Sequence, residues 1–138
     1  MADAHSGRGA RPDRPLSPHL QIYKPIVNMM MSIVHRITGA ALYFGSALLA
    51  WWLISAATSP EYFNYVASWF QTWLGKFVML GYTWALLHHM MGGIRHFIWD
   101  LGYGYDLDTI DKLCWGSAAI SLVATALIWF SVASHGSV

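Results

Sequence analysis

Charge is what this chain has least of. Only 11% of its 138 residues are Asp, Glu, Lys or Arg, where a soluble globule carries roughly a quarter. Hydrophobic types reach 56% and the mean hydropathy is +0.40, so this composition cannot cover the surface of a water-exposed domain. Neither sign dominates the few charges present. Eight basic and seven acidic residues leave a formal net charge of +1, and no Lys/Arg run is interleaved with aromatics, which removes the case for a nucleic-acid surface. A single cysteine, Cys114, excludes an intrachain disulfide and a thiolate metal cage. No internal repeat is evident.

The charges that exist are unevenly placed. Asp, Glu, Lys and Arg are missing from Ile37 to Pro60, from Phe77 to Ile94, and from Leu113 to Val138. A helix of about 20 residues crosses the hydrocarbon core, and each stretch reaches that length once a turn of flanking residues is added. The expectation is an all-α membrane protein with three transmembrane helices at about 32–57, 70–98 and 112–134. Residues 1–31 read differently: Arg8, Arg11, Arg14 and Lys24 alternate with Pro12, Pro15, Pro18 and Pro25, which break helices. The segment has no apolar core followed by a cleavage site, and Asp3 and Asp13 spoil a transit peptide. An extended arm on the membrane surface or on a partner is expected.

Lys and Arg also set orientation. The arm carries four, the connection around Thr58 to Tyr65 carries none, Arg95 and Lys112 flank the next connection, and the C-terminal tail has none. The positive-inside rule then predicts a cytoplasmic N-terminus and a periplasmic C-terminus in a bacterial inner membrane. Lys76, near the outer end of the second helix, snorkels to the interface. Trp51, Trp52, Trp69, Trp73 and Trp99 fall at predicted edges, as interfacial aromatics do.

Ionisable groups within membrane segments are costly and mark function. Ser32, His35 and Arg36 have i, i+3, i+4 spacing and share one helix face, where they can donate hydrogen bonds to a carbonyl or carboxylate. A snorkelling Arg36 with polar neighbours is equally compatible with that spacing. His89 and His96 are seven residues apart, hence on nearly one face and about 10 Å apart along the axis; His88 is turned by about 100° from His89. Gly92 and Gly93 lie between and leave room for a flat group. A haem takes a neutral imidazole as axial ligand, and an offset second histidine suits a propionate. Hydrogen bonding between helices, with glycines for close packing, is the competing reading. Three helices with one deep histidine do not enclose a haem, so a partner chain is expected to provide the other ligand and more wall.

Three segments, RPLSPHLQIY (Arg14 to Tyr23), SIVHRITG (Ser32 to Gly39) and HMMGGIRHFIWDLGYG (His89 to Gly104), together resemble the succinate dehydrogenase cytochrome b subunit, in order and spacing. The first most resembles the branch found in mitochondria and related bacteria, and the short arm before Arg14 favours a bacterial protein. The resemblance implies that His89 is the axial ligand of a haem b shared with a second small membrane subunit, and that His88 is not. It implies that Ser32 and Arg36 line the ubiquinone pocket, that His35 and Arg36 serve the haem propionates, and that His96 is a further propionate contact. The implied partners are a flavoprotein holding FAD, an iron–sulfur subunit packed on Pro18 to Tyr23, the second anchor subunit, and lipid. Asp100 matches the family's acidic residue after GIRH, with proton delivery and helix termination both open. Quinone reduction with electrons from succinate is then the expected role, in a subunit outside the succinate-oxidising core. A quinol:fumarate reductase anchor and a non-redox membrane scaffold are the alternatives. The scaffold leaves the SxxHR and HxxxGIRH groups without a purpose, and a small transporter lacks its broken helices and repeat symmetry.

Overall fold

A computed structural model describes residues 17–18 and 22–136. Arg8, Arg11, Arg14 and most of the RPLSPHLQIY arm lie outside the described residues, and with them most of the surface expected to meet an iron–sulfur subunit. Four helices follow in order: α1 (Val27–Thr58), α2 (Pro60–Gln71), α3 (Trp73–Asp100) and α4 (Leu107–Ser134).

Each boundary has a local cause. Helix α1 starts directly after Pro25, with Ile26 extended as its N-cap. It begins five residues before the expected start, because apolar Met29 to Met31 continue the helix once proline is passed. Helix α4 likewise begins at Leu107 rather than near 112. Its first turns hold Asp108 and Asp111, which charge-free runs cannot capture but which the positive end of a helix dipole favours. Between α3 and α4 the chain turns through Gly102 (φ 84°) and Gly104 (φ 77°). Gly102 closes a Schellman motif, its N–H donating to Trp99 O at 2.8 Å and Tyr103 N–H to Ile98 O at 3.2 Å.

The expected connection around Thr58 to Tyr65 is corrected: most of it is helix α2. Ser59 caps it, accepting from Tyr62 N–H at 3.2 Å, and Pro60 occupies the first turn. Glu61's own backbone N–H and the Ser59 hydroxyl hold its carboxyl below the usual carboxylate range. Val66 is fully buried, Trp51 Nε1 donates to Tyr62 Oη at 2.9 Å, and the Trp52 and Phe63 rings meet edge-on at 5.7 Å. One face of α2 is thus pinned to the end of α1. Thr72 then caps α3, accepting from Gly75 N–H at 3.1 Å, so α3 begins at Trp73, three residues later than expected.

Side-chain contacts fix the packing. Early α1 meets late α3 through His35 and His89, whose ring centroids are 3.9 Å apart. Late α3 meets early α4 through Arg95 and Cys114, and early α3 meets late α4 through Thr83 and Trp129. Helices α1 and α4 therefore run parallel to each other and antiparallel to α3, with α2 at the opposite end from His35.

The burial pattern is inverted relative to a soluble protein. Among the described residues the buried apolar side chains are Val66, Ala85 and Cys114, whereas Thr38, Ser55, His88, Arg95, Ser117, Ser121 and Thr125 are buried polar ones. Tyr43, Phe44, Phe77 and Phe130 lie outside at 75, 72, 65 and 74% exposure. Water would not tolerate such a continuous apolar exterior, but lipid does. Helices α1 and α4 are long and apolar enough to cross a membrane. Helix α3, at 28 residues, spans about 42 Å, but Lys76, His88, His89, Arg95, His96 and Asp100 reduce its apolarity.

Candidate functional site

The ionisable residues of α3 divide between its two neighbours. His89 faces α1 and His88 faces α4, as the rotation between consecutive helical positions requires. His88 is 2% exposed. Its Nδ1 lies 3.3 Å from Ser121 Oγ, and Ser121 gives its hydroxyl proton to Ala118 O at 2.8 Å, so His88 Nδ1 carries the proton and donates. Its Nε2 is buried without a hydrogen-bond partner among the described residues. Two helical turns further on, Arg95 is 5% exposed. Nη1 donates to Cys114 Sγ at 2.9 Å, the thiol in turn points to Asn28 Oδ1 at 3.8 Å, and the guanidinium sits 5.9 Å from the Trp99 ring centre. Arg95 Nε has no hydrogen bond among the described residues.

Sequence reasoning treated Arg95 only as a topology marker. Its burial between three helices had one available signal, the seven-residue spacing from His88, which places both on the α4 side of α3.

The α1 face of α3 is built on glycine. Gly92 lies directly under the His35 ring, where a Cβ would collide with Nδ1, and a Cβ on Gly39 would stand 2.9 Å from His89 Cε1. Each helix thus inserts a histidine over a glycine of the other. The His35 and His89 rings stack at 3.9 Å with 5° between their planes, and His96 joins them with its centroid 5.6 Å from His35. His89 Nδ1 is 3.1 Å from the His35 carbonyl oxygen. A carbonyl only accepts, so Nδ1 carries the proton. In the neutral ring the lone pair is then on the other nitrogen, Nε2, the form of imidazole that ligates iron.

Ser32 and Arg36 are both exposed, one turn apart on α1, and their side chains make no hydrogen bond to any described residue. The structure therefore brings His35, His89 and His96 together, while Ser32 and Arg36 lie outside that stack at the same end of the bundle. Asp100 is exposed at the last turn of α3. Among the described residues no three His, Cys, Asp or Glu side chains converge to hold a bare metal ion. Below Thr38, a groove of about 890 Å³ runs between α1 and α3, walled mainly by apolar side chains such as Leu48, Leu49 and Val78.

Comparison with known proteins gives the family. The family model for the succinate dehydrogenase/fumarate reductase transmembrane subunit matches residues 10–128. The succinate dehydrogenase cytochrome b556 subunit of Paracoccus denitrificans is 41% identical over 135 residues, covering 94% of this chain and 98% of that one. The protein of the same name from Rickettsia typhi is 37% identical over 116 residues, 84% of this chain and 90% of its own. The mitochondrial succinate dehydrogenase cytochrome b560 subunit of Sus scrofa is 36% identical over 120 residues, 83% of this chain and 67% of its own. An inverted, lipid-facing helical bundle with matches of this extent has one reading: the chain belongs to the succinate dehydrogenase/fumarate reductase transmembrane subunit family.

Proposed function

We propose that this chain is the membrane-anchoring haem b subunit of a succinate:ubiquinone oxidoreductase, with His89 as an axial ligand of the haem iron. The observation that carries the reading is the donation from His89 Nδ1–H to the His35 carbonyl, which in the neutral ring puts the lone pair on Nε2. His88 has the same tautomer but is enclosed by α4 of its own chain, leaving no space for a macrocycle or a second subunit. His89 is only half-buried, which leaves an approach for a flat group on its side of α3, whereas the His88 side is closed. His35 and His96 stand beside His89 as hydrogen-bond donors for propionates, and Arg36 one residue after His35 adds a cation. When bound, the haem supplies a one-electron store near the quinone site.

Helices α1, α3 and α4 span a bacterial inner membrane in this reading, with the N-terminus cytoplasmic and the C-terminus periplasmic. The buried polar contacts of α3 support its place as a third span, since they satisfy groups that lipid would not. A second small membrane subunit completes the haem pocket with the other iron ligand, and a flavoprotein carrying FAD and an iron–sulfur subunit deliver electrons from succinate. Ser32 Oγ and the Arg36 guanidinium, both without hydrogen-bond partners among the described residues, donate to the ubiquinone carbonyl oxygens. They stabilise negative charge that develops there during reduction, a preorganised electrostatic role. The relatives named as succinate dehydrogenases favour this direction over fumarate reduction.

Replacing Ser32 with alanine tests the quinone assignment. Removing one hydrogen bond to an oxygen gaining charge corresponds to roughly a tenfold or greater loss of succinate:quinone reductase turnover. Succinate oxidation by a soluble dye, which bypasses the membrane subunits, is expected to be unchanged. Full quinone turnover in Ser32→Ala would remove Ser32 from the site.

A further inference from the structure

We propose that Thr38 is a positioning residue for the His89 imidazole, setting its orientation and its donor strength toward iron through the threonine oxygen; this rests on the reading of His89 as axial ligand. Thr38 is 2% exposed on a helix whose neighbouring side chains mostly face outward. Its hydroxyl proton is already committed, donating to the His35 carbonyl at 2.9 Å. What Oγ1 turns toward His89 is therefore lone-pair density, and it lies 3.4 Å from Nδ1. The same Nδ1–H points to the His35 carbonyl at 3.1 Å. One N–H is thus shared between two acceptors, and the two acceptors are themselves joined by a hydrogen bond.

The adjacent residue completes the slot. Gly39 lets the Cε1 edge of His89 come within 2.9 Å of where a Cβ would stand. The ring is thereby located by the His35 carbonyl, the Thr38 hydroxyl and the Gly39 backbone, all contributed by consecutive turns of α1. Two acceptors on Nδ1–H give the ring partial imidazolate character. That makes Nε2 a stronger donor, which favours the ferric over the ferrous state. A threonine present merely to bond its own helix backbone would have no such effect, since valine in its place leaves the shape of the side chain intact.

The experiment uses the assembled complex with all its subunits. The haem midpoint potential is measured by optical redox titration, and the ferric haem is followed by low-temperature electron paramagnetic resonance, in wild type, Thr38→Val and Thr38→Ser. The expected result is a haem-containing Thr38→Val complex with a more positive midpoint and a shifted ferric signal, and a Thr38→Ser complex that returns to wild-type values. If Thr38→Val does not assemble, Thr38→Ala carries the same comparison. Coincident potentials and signals in wild type and the valine or alanine variant would overturn the proposal, as would a serine variant displaced as far as valine. Should the wild-type complex show no b-type haem, or should His89→Ala leave its spectrum untouched, the ligand reading itself fails. That outcome is distinct from an unshifted haem in Thr38→Val, which sinks the positioning role alone.

Discussion

His89→Ala is expected to remove the low-spin b-type absorption of the assembled complex, whereas His88→Asn leaves it in place. The contrast follows from where the two rings lie. His89 stands over Gly39 with Nδ1–H held by the His35 carbonyl, and alanine offers no lone pair to replace Nε2. In the proposed ligation, loss of His89 changes the spin state of the iron or releases the haem, and either change is large in a visible spectrum. His88 is bonded to Ser121 on the opposite side of α3. The Asn side-chain amide reproduces the donor that Nδ1–H supplies, so the α3–α4 contact survives. An unaltered spectrum in His89→Ala, or equal losses in both variants, would refute the assignment.

Gly92→Val is expected to prevent the complex from accumulating with haem. A Cβ at this position would collide with the His35 ring, and the two γ-methyls of valine add further bulk against it. Overpacking of a well-packed contact costs about 1–3 kcal/mol even when neighbours adjust. His35 has little freedom to adjust, because its ring is stacked on His89 and its carbonyl holds the His89 N–H. Displacing it therefore disturbs the ligand as well as the packing. Gly93→Ala is the matched control, since a Cβ there meets no atom within 4 Å. Haem content and detergent-solubilised complex yield report the difference. Equal yields for the two variants would show that the α1–α3 crossing is looser than these contacts indicate.

Much of this architecture can be read from residue spacing, and the exceptions have physical causes. Runs free of charge locate the interiors of α1, α3 and α4, but they misjudge helix starts. A charge-free window ends at Asp111 and Lys112, while a helix welcomes carboxylates in its first turn. Helix α2 was overlooked although Ser59, Pro60 and Glu61 form a start signal. Of its aromatic residues only Trp69 enters the interfacial belt, and the 3.6-residue period of the segment is the signal that the belt reading leaves unused. The separation of His88 from His89 follows from helical rotation alone. By contrast, no local pattern announces that Gly39 receives His89 or that Cys114 receives Arg95, because those pairings depend on how whole helices cross. The Thr38 hydroxyl was invisible for the same reason: a threonine in an apolar helix reads as a filler until its partner on another helix is known.

The contacts joining α3 to α4 bear on how the chain enters a bilayer. Helices α1 and α4 are apolar enough to partition into lipid by themselves, but α3 brings a guanidinium and an imidazole whose only satisfied atoms face α4. During synthesis α3 emerges first, with Cys114 and Ser121 not yet made. In the proposed three-span topology, entering the bilayer together with α4 covers these groups, whereas α3 alone would expose them to hydrocarbon. A chain ending before Leu107 would therefore strand α3 outside the hydrocarbon, although nothing within α3 itself had changed.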